Sequence, residues 1–190
     1  CAIKSILDRA GIQGSGLRRV ERNVYARILN DVLKVTKGEA LLRISEGKVS
    51  AVLSGDCNDY AILNMEEIFL HTVQYLQEEF EDCRYMAGFY EHDMVSAMWS
   101  IDESGLLSAY SKELSLLGKT AEDLIPMVRI TTSDTGTCGA NIYPMLLNVK
   151  DGKSFNLGSP LKLIHKNGST MDDYDAQLKQ LYAKYQLAIG

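Results

Sequence analysis

Cys83-Arg84-Tyr85-Met86-Ala87-Gly88-Phe89-Tyr90-Glu91-His92-Asp93-Met94-Val95-Ser96-Ala97-Met98-Trp99-Ser100-Ile101 holds two alternating runs around a polar turn. Tyr85, Ala87 and Phe89 recur at every second position of the first arm, and Val95, Ala97 and Trp99 at every second position of the second. A two-residue period belongs to an extended chain that buries one face. Residues 83–90 and 93–101 therefore read as a hairpin turning at Glu91-His92-Asp93.

Toward the N-terminus the period changes. Met65, Ile68, Phe69, Val73, Leu76 and Phe80 follow helical spacing, and Asn64 stands where an N-cap belongs. Ala40–Ser45 and Lys48–Ser54 read as another hairpin, closed by Glu46-Gly47, with a polar loop at 55–60. Leu17, Val20, Val24, Ile28 and Val32 predict one helix over 17–37, with Ser15 as its cap. Residues 1–11 read as a short helix stopped by Gly11.

Toward the C-terminus, 103–117 predicts a helix stopped by Gly118, and Thr120 caps a turn. Pro126 opens a strand at 127–133, followed by strands at 142–149 and 161–165. One helix is expected over 171–187, with Leu178, Tyr182 and Tyr185 inward. Hairpins alternating with helices define an α+β protein: a largely antiparallel sheet packed with amphipathic helices. The 190 residues suit a single domain, with 1–16 as an N-terminal helical appendage.

Composition restricts the function classes. An apolar fraction of 46% with 24% charged residues is ordinary for a globular chain. No run reaches the roughly 18 apolar residues of a membrane span. Cys1-Ala2-Ile3-Lys4 does not read as a signal peptide. The four cysteines are scattered, which suits reduced thiols in a cytoplasmic protein and speaks against a zinc ribbon. Charge is unevenly distributed. Residues 1–50 carry ten Lys/Arg against five Asp/Glu, and 51–110 carry one against twelve. Arg18, Arg19, Arg22 and Arg27 concentrate positive charge at the expected start of a helix, where the dipole disfavours it. That arrangement suits an anionic partner, and these four are the candidate nucleic-acid contacts.

Met127 to Asn141 gathers the other chemistry. On a strand, Val128, Ile130 and Thr132 share one face, while Arg129, Thr131 and Ser133 share a polar face expected at solvent or in a cleft. Asp134-Thr135-Gly136 then turns the chain. Gly136 is expected at positive φ, with the Asp134 carboxylate accepting N–H bonds from Gly136 or Thr137. Asp134-Thr135-Gly136-Thr137 also spells the tetrapeptide of aspartic proteases, but no second copy exists in the chain. Asp134, Ser133 and His165 are the candidate catalytic residues of a hydrolase-type site, with Arg43, Ser54, Arg129 and Asn141 as its pocket. Cys138 reads as a structural thiol and His71 as a surface residue. Glu91-His92-Asp93 cannot converge on a metal from a strand and could from a turn, where such residues are commonly solvated polar groups; neither metal nor cofactor is expected.

Leu41-Leu42-Arg43 with Gly47-Lys48-Val49-Ser50-Ala51-Val52-Leu53-Ser54 and Tyr60 resembles the "LR…gkvrAvlS…Y" segment of a phage/plasmid-like family, a prokaryotic domain of unknown function. That family's "NSE-x-G" segment is similar to Thr132-Ser133-Asp134-Thr135-Gly136, with Asp134 in place of glutamate. Its later basic–histidine pair is matched by Lys162 and His165. The cysteine–asparagine–glycine segment of the family has no counterpart. The resemblance implies a mobile-element context. With the charge pattern, it makes nucleic acid or a nucleoprotein machine of defence or replication the expected partner. No membrane is expected, and self-association remains open.

Overall fold

The chain, seen here in a computed structural model, divides into two compact units, residues 1–60 and 61–190. The structure describes residues 2–13, 16–53, 60–91, 94–102, 106–118, 120–136, 138–166 and 168–189. Ser15, Ser54, the 55–59 loop, His92-Asp93, 103–105 and Thr137 lie outside the described residues, as does the side chain of Arg18. The division falls at Tyr60.

The first unit runs α1 (Ala2–Arg9), a 3-10 turn (Gly16–Arg19), α2 (Arg22–Val35), β1 (Leu41–Ser45) and β2 (Lys48–Leu53). The expected 17–37 helix is interrupted. Glu21 is extended, at φ −55 and ψ 143, and becomes the N-cap position of α2. The break has an electrostatic logic: it sets one carboxylate at the positive end of α2 and takes Arg19 out of the helix altogether. β1 and β2 form the expected hairpin. Glu46 at φ 50 and Gly47 at φ 70 give the two-residue primed turn that matches the twist of its strands.

The second unit begins with α3 (Met65–Glu79), capped as expected by Asn64, whose side-chain oxygen accepts from the Glu66 N–H. β3 (Asp82–Glu91), β4 (Met94–Asp102), α4 (Ser108–Leu116), β5 (Leu124–Thr132) and β6 (Ala140–Asn148) follow. Then come β7 (Ser154–Asn156), β8 (Leu161–Leu163), α5 (Met171–Leu178) and α6 (Leu181–Ile189). The six strands form one antiparallel sheet in the order β3-β4-β5-β6-β7, with β8 also on β6. The α+β class with an antiparallel sheet is therefore correct.

Several element limits differ from the sequence reading, each for a physical reason. β5 starts at Leu124 and contains Pro126, which the reading puts before the strand. Proline is accommodated because β4 pairs with β5 only from Met127 onward. Pro144 lies within β6, where β8 covers residues 140–142 and β7 covers 145–147. It fills the gap between two partners with a residue that has no N–H to satisfy, and its carbonyl accepts from Leu157 N–H at 2.7 Å. The expected 171–187 helix is two helices. The Gln180 N–H reaches back only three residues, to the Gln177 carbonyl, which tightens and ends α5. Tyr174, Leu178, Leu181, Tyr185 and Ile189 are buried on both sides of that break, so the apolar period alone shows no interruption. The 161–165 strand ends at Leu163.

Val128, Ile130, Ile142 and Leu146 of the two central strands are fully buried with Ile68, Leu76, Tyr174, Leu178, Leu181 and Tyr185 of the helices. The two buried phenols keep partners. Tyr174 Oη and Thr72 Oγ1 lie 2.7 Å apart. Tyr185 Oη donates to the Met127 carbonyl and accepts from the Met145 N–H, tying α6 to β5 and β6. Burial pushes both phenols above their ordinary pKa. Tyr185→Phe should leave a buried carbonyl and a buried N–H unpaired and cost about 1–3 kcal/mol. In urea unfolding the midpoint is expected to fall with the slope unchanged; an unaltered midpoint would remove the role given to this hydroxyl.

Candidate functional site

β5 enters the core with apolar residues and leaves it with hydroxyls. Thr131, Thr132, Ser133, Thr135, Asn141 and His165 are all buried, six of the eight buried polar residues described. They sit at one end of the sheet because β6 returns beside β5, with Thr131 opposite Asn141. β8 then runs beside β6, with Leu163 opposite Ala140. The expectation that Thr131 and Ser133 face solvent or a cleft is overturned. Along β5, residues of both faces are largely buried, and Thr131 and Ser133 are among them.

The turn uses these groups on its own backbone. Ser133 Oγ accepts from the Thr135 N–H at 3.2 Å. Asn141 Nδ2 donates to the Gly139 carbonyl at 3.0 Å and toward Thr131 Oγ1 at 3.4 Å. Gly136 has φ 76, as the turn requires. Gly139 is needed for space, since a Cβ there would overlap the Leu163 carbonyl of β8. Asp134 is half-buried in the turn, as is Cys138. Ser133 thus supplies a side-chain acceptor within the turn.

His165 follows β8 and is buried. Its Nδ1 lies 3.1 Å from the Ala61 carbonyl, and the Ala61 N–H donates to the His165 carbonyl at 3.1 Å. A carbonyl only accepts, so Nδ1 carries the proton and Nε2 of the neutral ring is the acceptor. Burial pulls the His165 pKa below its ordinary value, and the Ala61 hydrogen bond opposes that shift. Arg129 stacks on its cross-strand neighbour Tyr143, with Cζ 4.5 Å from the ring centre. Its Nε is buried without a hydrogen bond among the described residues, as is Thr132 Oγ1.

The residues of the expected pocket divide between the two units. Arg129, Ser133, Asp134, Asn141 and His165 belong to the second unit. Arg43 belongs to the first, where its Nε donates to Ser50 Oγ at 3.0 Å. Ser54 lies outside the described residues. The sequence reading misses a hydrogen-bonded pair: His71 Nδ1 meets both Asp175 oxygens, at 2.8 and 3.0 Å, between α3 and α5. They line a cleft of about 160 Å³ with Gln74, Tyr75, Glu78 and Lys179. Asp175 is 104 residues from His71, so no local spacing announces the pair. Among the described residues no group of His, Cys, Asp and Glu side chains is placed to hold a metal ion. No helix among them is long and apolar enough to cross a membrane.

The first unit offers a different surface. Arg19, Arg22 and Arg27 are exposed, and none forms an ion pair among the described residues. Arg22 and Lys4 flank a groove of about 390 Å³ lined by Ile3, Leu7, Leu17, Val20 and Tyr25. Against known family models, curated proteins and solved structures the chain finds no match.

The His165 environment makes a pH prediction. The folded ring has a lowered pKa, so the unfolded chain binds the proton more readily. Stability is complete above the ordinary histidine pKa of about 6.5 and falls as pH drops through and below it. His165→Asn keeps a donor near the Nδ1 position and removes the titration. Thermal melts from pH 8 to pH 5 should show a shallower decline for this variant than for the unmodified protein. Parallel declines would rule out a buried neutral His165.

Proposed function

We propose that this is a nucleic-acid-interaction protein whose first unit takes single-stranded nucleic acid. One observation carries the reading: Arg22, exposed and without an ion pair among the described residues, lines a groove that also holds an aromatic ring, Tyr25, and Arg19 and Arg27 of the same segment are likewise exposed. Phosphates are drawn by cations whose charge is not already neutralised. Bases are held by stacking on an aromatic face within an otherwise apolar wall, without hydrogen-bond readout of sequence. Charge division supports the same assignment. Residues 1–60 hold ten Lys/Arg against seven Asp/Glu, and 61–190 hold ten against eighteen. An acidic second unit disfavours phosphate, so the field directs a polyanion to the first. The resemblance of 41–54 to a phage/plasmid-like family gives the context: a cytoplasmic protein of a mobile element, acting on replication or defence machinery.

A hydrolase reading is favoured by one specific observation, the His165 tautomer, whose Nε2 is a base at the sheet end that also holds Ser133, Asp134 and Cys138. Burial of Ser133 and His165 weighs against it, because a substrate must reach the nucleophile. Hydrolysis of an ester lost on Ser133→Ala or His165→Asn, in protein that melts normally, would restore this reading.

The test of the binding reading is fluorescence anisotropy with labelled single-stranded oligonucleotides at several salt concentrations. Replacing Arg19, Arg22 and Arg27 by Ala should weaken binding and reduce the salt slope by about 0.7 per lost phosphate contact. Tyr25→Ala should cost about 1–3 kcal/mol per stacked base with the salt slope retained. Absence of binding by the unmodified protein at low salt would refute the proposal.

A further inference from the structure

β3 is the outer strand of the six-stranded sheet. β4 pairs along one side, and no strand among the described residues pairs along the other. Open edges are normally kept short, charged or covered, because their unpaired N–H and C=O groups recruit other strands. This one is ten residues long. It exposes Tyr85 at 63%, Phe89 at 52% and Tyr90 at 65%, with Met86 also exposed. Its only charges between residues 83 and 91 are Arg84 near the start and Glu91 at the end.

We propose that β3 pairs antiparallel with β3 of a second copy, about a two-fold axis at Gly88. The register with β4 fixes which side chains share a face. Arg84, Ala87, Phe89 and Glu91 oppose Ser100, Met98, Ser96 and Met94, all even positions of one strand and so all on one face. Tyr85, Gly88 and Tyr90 oppose Trp99, Ala97 and Val95, on the other face. This grouping depends on the bulge between Tyr85 and Ala87, which makes Met86 an extra residue. In a regular strand Arg84 and Glu91, an odd number of positions apart, would point to opposite faces.

The bulge makes the strand self-complementary. Pairing about Gly88 sets Ala87 opposite Phe89 of the second copy, and the Tyr85-Met86 bulge opposite Tyr90 of the second copy. Arg84 falls opposite Glu91 of the second copy, and each pair shares a face. The residue on the axis has no side chain to collide with its image. Opposite charges meet at both ends and aromatic residues meet between them, the cross-strand pairs that stabilise sheets. Asp82 already holds the Arg84 guanidinium, at 2.7 Å from Nε. The guanidinium has five donors, so a second carboxylate is accommodated beside the first. A strand that matches its own image is what an isologous dimer needs, and an unrelated partner strand would not require it.

Sedimentation equilibrium of the full chain over a range of concentrations tests this. The unmodified protein should be a dimer in reversible equilibrium with monomer. Glu91→Arg sets like charges at both ends of the pairing and should raise the dimer dissociation constant about tenfold or more. Arg84→Glu combined with Glu91→Arg restores opposite charges and should tighten the dimer again relative to Glu91→Arg alone. Hydrogen exchange on the unmodified protein is the second readout: amides in 84–91 should exchange more slowly as protein concentration rises. Monomer at every concentration, a dimer indifferent to Glu91→Arg, a double variant no tighter than the single one, or concentration-independent exchange in 84–91 would each overturn the proposal.

Discussion

Burial of the inner face of β5 and β6 is the constraint on which the second unit depends. Val128, Ile130, Ile142 and Leu146 leave no surface to water, and α3, α5 and α6 supply Ile68, Leu76, Tyr174, Leu178, Leu181 and Tyr185 to the same cluster. Removing that much apolar surface from water drives the packing. It also imposes a condition on every polar group carried inward. Tyr174 meets it with Thr72, and Tyr185 meets it with the backbones of Met127 and Met145. The second contact acts on the sheet as well as the helix, because it joins α6 to the two central strands at once.

The same condition explains the end of the sheet. A concentration of hydroxyl, amide and imidazole groups resembles a reaction centre when read along the chain. In the fold, Ser133 closes the turn on Thr135, Asn141 holds Gly139 and approaches Thr131, and His165 clasps Ala61 through two hydrogen bonds. These groups are drawn inward by an interior strand and its return, and much of their hydrogen-bonding capacity goes into holding that return. Arg129 stacks on Tyr143 but keeps its Nε buried without a hydrogen bond among the described residues. Arg19, Arg22 and Arg27 of the first unit are instead exposed, with no ion pair among the described residues. The proposed function follows from that contrast.

Local features were legible in the sequence wherever local physics decides them. The Glu46-Gly47 turn, the Asn64 cap, the helix stop at Gly118, Gly136 at positive φ and the pairing of the 83–101 arms appear as read, but Tyr85 does not share the face of Ala87 and Phe89. Features decided by distant partners were not. The β3 bulge has no signature in Tyr85-Met86-Ala87, since its extra residue is defined only against β4. The two halves of the C-terminal helix share one apolar stripe, so the period hides their break. The polar face of β5 was read as exposed because alternation tells which residues share a face and not whether that face is covered. His71 passed for a surface residue because Asp175 lies at the other end of the unit. Of the candidate site, the sequence located the residues around the turn, and only the fold showed Ser133 and His165 to be buried.

The central claim is that binding belongs to the charged surface of the first unit and not to the polar sheet end of the second. An NMR titration of isotope-labelled full-length protein with a short single-stranded oligonucleotide at low salt tests it most directly. The account predicts that amide shifts concentrate in residues 16–30, including Tyr25, while those of 131–141 and His165 stay in place. Shifts confined to the 131–141 turn and His165, or no shifts at all, would contradict it.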